Sequence, residues 1–236
     1  MDTLTSQIAD NYARVSKRIE EACRRVGRRS SEVRLVAVTK SADIRSIQAL
    51  LTLGVRDLGE SRPQKLCERA ELLDQAVEWH LIGHLQRNKI RKVLPATSWI
   101  HSVDSLSLLR RLDVVAGELG LRRKVLLEVN VSGEKAKGGF EPSELLDVGP
   151  AVFAASHVEI AGLMTMAPWT DSPEAARPVF SGLRAIRDQL RQISSAAVLP
   201  ELSMGMSGDF EVAVEEGATL VRVGTSLFEG LESHDA

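Results

Sequence analysis

From residue 34 to residue 228 the chain repeats one unit eight times: a short run rich in aliphatic and β-branched residues, a turn, then a stretch with helical periodicity. The runs cover residues 34–40, 55–59, 78–83, 99–103, 124–131, 160–166, 202–206 and 220–228. The first, Arg34-Leu-Val-Ala-Val-Thr-Lys40, is apolar on both faces, the pattern of a parallel strand covered by helices. Parallel strands need crossover connections, and helical segments stand where the crossovers must run. Eight such units with no linker-like segment between them predict one closed (β/α)8 barrel, the TIM-barrel architecture of the α/β class. An open doubly wound sheet is the alternative. No Gly-x-Gly-x-x-Gly follows the first run, which ranks that alternative lower.

Residues 3–27 stand outside the repeat. Ile8, Tyr12, Val15, Ile19, Ala22 and Val26 recur at steps of three and four, so an extra N-terminal amphipathic helix ended by Gly27 is expected. The domain reading is a single unit over residues 1–236, with the N-terminal helix in 1–30 and the barrel in 34–230. Local punctuation agrees. Gly54 stops the first helix of the repeat, and Pro63 suits the first turn of the next. Asp104 or Ser105 can cap a third, and Asp171-Ser172-Pro173-Glu174 is a helix-start signal.

Composition removes several function classes. The net charge is −2 with acids and bases mixed, so no nucleic-acid footprint is present. Arg87, Lys89, Arg91 and Lys92 form a basic stretch, but no aromatics interleave them, and a solvated helix face is expected. Cys23 and Cys67 make neither a Cys-x-x-Cys nor a metal spacing, which suits a reducing cytoplasm. The N-terminus lacks the basic and apolar regions of a signal peptide, and no apolar run approaches membrane length. A cytoplasmic protein with no membrane partner is expected.

The candidate chemistry lies at the ends of the runs. Lys40 shares a face with Val36 and Val38. If that face is the interior, a primary amine stands at the mouth of an apolar barrel, where burial lowers its pKa and frees it to attack an aldehyde. A solvated lysine just past a strand end is the plainer alternative for Lys40 taken alone.

TIM barrels often bind a phosphate at the loops after strands seven and eight. After the seventh run, Met204-Gly-Met206-Ser207-Gly208-Asp209 places a hydroxyl and a glycine at a helix start. After the eighth, Gly224-Thr225-Ser226 lets backbone amides approach an anion closely. Singly, Ser207 reads as an N-cap and Gly224 as a turn glycine; at strands seven and eight together they favour a phosphate. Arg222 shares a face with Leu220 and Gly224, so it points inward and needs a partner. The partner is a carboxylate, such as Glu60 or Glu128, or a heterocyclic nitrogen. Amine, phosphate nest and inward arginine together describe a site for pyridoxal 5′-phosphate (PLP). Lys40 would form the aldimine, the loops would hold the phosphate, and Arg222 would face the pyridine nitrogen.

The motifs resemble the YggS/PROSC family of pyridoxal phosphate homeostasis proteins. They are residues 34–40, Gly59-Glu60, Trp79-His80-Leu-Ile-Gly83, Leu85-Gln86-x-Asn88-Lys89, Gly162-Leu-Met164, Leu202-Ser-Met-Gly-Met206-Ser207 and Val221-Arg-Val-Gly-Thr225. They follow the family's order over nearly the whole chain. The resemblance implies a fold-type III barrel similar to the barrel domain of alanine racemase, with PLP on Lys40 and Arg222 at the ring nitrogen. It also implies phosphate contacts from Ser207, Gly224 and Thr225, with Met206 and Ser61 beside the cofactor. Where the family usually has Gly-Glu-Asn, this chain has Gly59-Glu60-Ser61, a shorter side chain at that position. The implied role is to bind, buffer or deliver PLP, with PLP-dependent apo-enzymes as recipients and the protein a monomer or weak dimer.

Arginine has no acceptor and does not lose its proton, so the ring nitrogen it faces stays unprotonated and stores electrons poorly. Holding the cofactor is therefore expected over turning it over. Racemases that share the ring contact add a second base from a β-rich domain; here little sequence follows the barrel, and Tyr12 lies on the N-terminal helix stripe. The competing reading is a low-activity PLP-dependent racemase or lyase with Lys40 as its base. A metal hydrolase on His80, His84 and His101 is the third reading. No Glu stands in a His-Glu-x-x-His position, so packed or hydrogen-bonded histidines and no metal are expected.

Overall fold

The computed structural model describes residues 2–73, 76–134 and 138–231. Part of the polar loop expected after the fifth strand, residues 135–137, lies outside the described residues, as do the last residues of the expected single domain. Eight parallel strands close into a barrel in chain order. They are β1 (Arg34–Val38), β2 (Asp57–Glu60), β3 (Glu78–Leu81), β4 (Trp99–Val103), β5 (Arg123–Glu128), β6 (Val158–Met164), β7 (Glu201–Ser203) and β8 (Leu220–Val223). Closure is made by β8 pairing back onto β1, with Val36 opposite Arg222 and Ala37 opposite Val223. Helix α1 (Thr3–Arg25) precedes the barrel. Around it run α2 (Ile44–Thr52), α3 (Pro63–Leu72), α4 (Ile90–Val93), α5 (Leu106–Leu119), α6 (Pro142–Val152), α7 (Arg177–Ile193) and α8 (Phe210–Glu215).

Alternation along the strands separates two apolar regions. Val36, Trp99, Leu126, Ala161, Met164 and Leu220 meet inside the barrel. Their odd-face neighbours, such as Ala37, Val125 and Val221, join the larger core between strands and helices. The period of two thus places Val36 and Val38 on the interior side of β1, and the strand ends before Lys40.

Strand ends differ from the periodicity. β1 stops at Val38, β7 at Ser203 and β8 at Val223, each short of the apolar run. Beyond β1 the chain turns at once, with the Ala42 amide donating to the Thr39 carbonyl. Beyond β7, Gly205 sits at φ +91°, where a Cβ would lie 2.5 Å from the Ala213 methyl, so only glycine makes this turn. Beyond β8, residues 225–227 coil into a 3-10 turn. The signal at residues 171–174 likewise opens a 3-10 turn, Pro173–Ala176, before α7 begins. Ser105, not Asp104, caps α5.

Among the described residues no helix is long and apolar enough to cross a membrane. Helix α1 packs against α2 and α8 and is tied to α8 by the Arg18–Glu211 and Arg25–Glu215 pairs. On its buried face, Asn11 donates to the carbonyls of Leu227 (3.1 Å) and Glu229 (2.9 Å). The extra helix therefore fixes the turn that follows β8. Asn11→Leu keeps the volume but leaves both carbonyls without that donor. A loss of about 1–3 kcal/mol in urea unfolding is expected, with the 224–229 segment gaining hydrogen exchange.

Candidate cofactor site at the barrel mouth

Lys40 lies two residues past β1, at the C-terminal end of the barrel. Its side chain is exposed, so the expected burial of the amine is corrected: the protein alone does not desolvate it. The reason is the early end of β1, which carries Lys40 out onto the loop. That loop is held rigidly by its backbone. Arg69 on α3 is buried beneath it and donates to the Thr39 carbonyl (2.8 Å), the Thr39 hydroxyl (3.1 Å) and the Ala42 carbonyl (2.6 Å). Arg69 also pairs with the fully buried Glu60 at the end of β2. The other Glu60 oxygen accepts from the Ser61 and Arg62 amides, and the Arg62 guanidinium donates to the Lys40 carbonyl (3.1 Å). Carbonyls 39 and 42 are thus fastened to α3, and carbonyl 40 to Arg62 in the β2–α3 connection. Ser61 belongs to this clamp: its hydroxyl leans on Glu60 at 3.4 Å.

Lys40 shares a cleft of about 260 Å³ with Val38, Gly224, Thr225 and Phe228. Ser207 does not cap α8. Its hydroxyl oxygen instead accepts long hydrogen bonds from the Gly224 (3.3 Å) and Ser226 (3.4 Å) amides, which pulls the β7 and β8 loops together. The α8 turn is closed by Asp209, whose carboxylate takes the Met206 amide at 2.6 Å. Met206 is exposed in the loop that follows β7.

Arg222 points inward and is buried, as expected, but neither Glu60 nor Glu128 touches it. Glu60 is taken by Arg69. Arg222 donates instead to the Ser203 hydroxyl (2.6 Å) and the Thr165 carbonyl (3.0 Å). Burial pushes its pKa down to about 10, opposed by the charges of Asp209 and Glu128. It stays a cation at neutral pH. Burial also raises the Glu128 carboxyl, with Asp104 adding to the effect, and raises that of Asp209 against the Met206 amide and Arg222.

The histidines do not converge on a metal. His84 is exposed and turned to Asp104 (3.2 Å), whereas His80 and His101 are buried with ring nitrogens 2.9 Å apart. Among the described residues no group of three metal-ligating side chains forms. Burial drives the His80 and His101 pKa values below 6.5, against the Asp57 carboxylate at His80 and with added repulsion from His80 and Arg222 at His101. Such groups are neutral in both states above pH 6.5; below it the unfolded chain takes up protons and the folded one does not. Stability is therefore expected to hold above pH 6.5 and to fall as pH drops toward the folded values, in urea melts run at a series of pH values.

Residues 11–232 match the alanine racemase N-terminal domain family. The chain belongs to that family. A relative in Aquifex aeolicus, named pyridoxal phosphate homeostasis protein, is 41% identical over 93% of this chain and 96% of its own. The crystal structure of an unknown protein from Bifidobacterium adolescentis superposes with a TM-score of 0.88 at 38% identity, covering 97% of each chain. The PLP-bound structure of PipY from Synechococcus elongatus superposes with a TM-score of 0.78 at 40% identity, covering 84% of this chain and 92% of that one. The family's barrel is the fold seen here, and the resemblance carried by the motifs is confirmed.

Sequence reasoning did not find Arg69, Thr39, Asn11 or Ser203. Arg69 left a signal: it falls three residues after Leu66 and four before Leu73, a cation on the buried stripe of α3. Asn11 is likewise one residue before Tyr12 on the α1 stripe.

Proposed function

We propose that the protein binds PLP at the barrel mouth, holds its aldehyde through a reversible covalent bond to Lys40, and buffers or delivers it. The observation that carries this reading is the meeting of an accessible amine, a cluster of weakly engaged backbone amides and an inward guanidinium at one end of one barrel. The Gly224 and Ser226 amides, now on long bonds to Ser207, are the donors a phosphoryl group takes most readily, with the Ser207 and Thr225 hydroxyls beside them. Arg222 carries N–H groups beyond those given to Ser203 and Thr165, and these would be the donors for the ring nitrogen of a bound PLP. Met206 walls the rim. Ser61 acts through Glu60 instead of reaching the cofactor. The names of the curated relatives and the PLP bound to PipY support the same assignment.

PLP supplies an electrophilic aldehyde and an aromatic ring that stores electrons when its nitrogen is protonated. Arg222 would donate to that nitrogen and has no proton to give up to it, so storage would be weak and retention favoured. Delivery implies PLP-dependent apo-enzymes as recipients, from a cytoplasmic monomer or weak dimer; the two buried free cysteines suit a reducing compartment. Purified protein titrated with PLP should develop a saturable absorption band near one equivalent. The competing racemase or lyase reading is tested in deuterated water with L-amino acids. Repeated α-deuterium incorporation by the loaded protein would replace retention with catalysis.

A further inference from the structure

A line of polar side chains runs through the barrel from floor to mouth. At the floor, the Asp57 carboxylate on β2 meets His80 Nε2 at 2.9 Å. His80 Nδ1 meets His101 Nε2 at 2.9 Å, and His101 Nδ1 meets the Ser203 hydroxyl at 2.9 Å. The Ser203 oxygen then accepts from Arg222 at 2.6 Å. His80, His101 and Ser203 are each fully buried. Trp99 braces them, stacking on His80 (5.5 Å between centroids, 6° between planes) and meeting His101 edge-on. Below it, Arg34 and Lys124 each place a cation 4.8 Å from the Trp99 ring, and Arg34 pairs with Glu201 and Asp57.

The connectivity fixes the direction of every proton. Burial works against the Asp57 charge, but the His80 hydrogen bond and the charges of His80 and Arg34 keep its carboxyl below the usual range. An ionised carboxylate only accepts, so His80 carries its proton on Nε2. A neutral imidazole then has a bare Nδ1, which must accept from His101 Nε2–H. His101 in turn has a bare Nδ1, which accepts the Ser203 hydroxyl proton. The Ser203 oxygen is left to accept, and Arg222 donates to it. Reversing any member sets two acceptors face to face, down to a bare nitrogen against the carboxylate.

We propose that Asp57, His80, His101 and Ser203 form a one-directional hydrogen-bonded column that positions Arg222 for the ring nitrogen of the cofactor. Asp57, at the floor, is then a positioning residue for a ligand held at the opposite mouth. The inference rests on the PLP reading above. Its physical advantage is specific. A carboxylate in contact with Arg222 would neutralise the guanidinium and compete for its N–H groups. A neutral serine oxygen, its own proton committed to His101, orients the guanidinium and leaves its charge for the ring nitrogen.

The test compares PLP with its benzene analogue, in which C–H replaces the ring nitrogen, on wild type, Ser203→Ala, Asp57→Ala and Asp57→Asn. Folding of each is verified by circular dichroism before binding. Wild type should prefer PLP. Ser203→Ala should cut that preference about tenfold and Asp57→Ala about threefold, with the analogue's affinity unchanged, as expected for loss of one charge-assisted contact. Asp57→Asn keeps an acceptor for His80 and should restore the preference. Imidazole 15N shifts of the cofactor-free protein should show both His80 and His101 as Nε2–H tautomers, and a mixture in Asp57→Ala. An Nδ1–H tautomer at either ring, or a preference unchanged in both alanine variants, overturns the proposal alone. Wild type that binds neither compound overturns the PLP reading and the proposal with it.

Discussion

Lys40→Ala is expected to abolish the covalent PLP adduct completely while leaving the fold intact. Borohydride reduction followed by peptide mass mapping should place a phosphopyridoxyl group on the Lys40 peptide of wild type and none anywhere on the variant. The reason lies in the loop geometry. Lys40 is exposed past the end of β1, so removing its side chain takes away no core contact and should change stability by no more than about 0.5 kcal/mol. The backbone under it is held by Arg69 and Arg62 whatever side chain stands at position 40. Non-covalent binding through Arg222 and the Ser207–Gly224 loops should survive in weakened form. An adduct that persists on another lysine of the variant would move the site away from the barrel mouth.

The second large effect is expected at a residue that touches no cofactor. Arg69→Ala leaves the fully buried Glu60 carboxyl without its guanidinium partner and strips the donor from the Thr39 and Ala42 carbonyls. Breaking a buried pair from one side costs about 3–5 kcal/mol, and urea unfolding should show a loss of that order. The same substitution frees the loop that presents Lys40, so covalent capture should slow even in the folded fraction. Arg69→Lys should recover little, because one ammonium cannot reach the two carbonyls, the hydroxyl and the carboxylate that the planar guanidinium spans. A loss below about 1 kcal/mol would mean that the pair behaves like a surface salt bridge and that the clamp is not what orders the loop.

Together these two outcomes separate chemistry from support. Lys40 is expected to matter for the adduct and hardly for stability. Arg69 is expected to matter for stability first and for the adduct through the loop. The interior column is expected to make a third kind of contribution, acting on the ring end of the cofactor through Arg222.

Much of this was written in the chain's periodicities. The eightfold alternation of short apolar runs and helical stretches leaves few topologies that bury every strand, because parallel neighbours need crossovers and a closed barrel leaves no edge. Lys40, Ser207, Arg222, Gly224 and Thr225 were legible for a related reason. They lie near or just past the C-terminal ends of β1, β7 and β8, and strand ends on one side of a barrel must share a mouth. The inward facing of Arg222 followed from the period of two, whereas Lys40 stands beyond the end of β1 and its exposure did not. What the periodicities could not carry was anything that depends on two distant segments meeting. Arg69 becomes a loop clamp only because α3 crosses beneath the β1–α2 connection. Asn11 becomes a support of the β8 loop only because α1 folds across the barrel's closure. Ser203 and His101, 102 positions apart, bond only because β4 and β7 face each other across the interior. Alternation along a chain tells which side of a strand a residue occupies; which partner waits there is decided by curvature and closure of the sheet, a property of all eight strands at once.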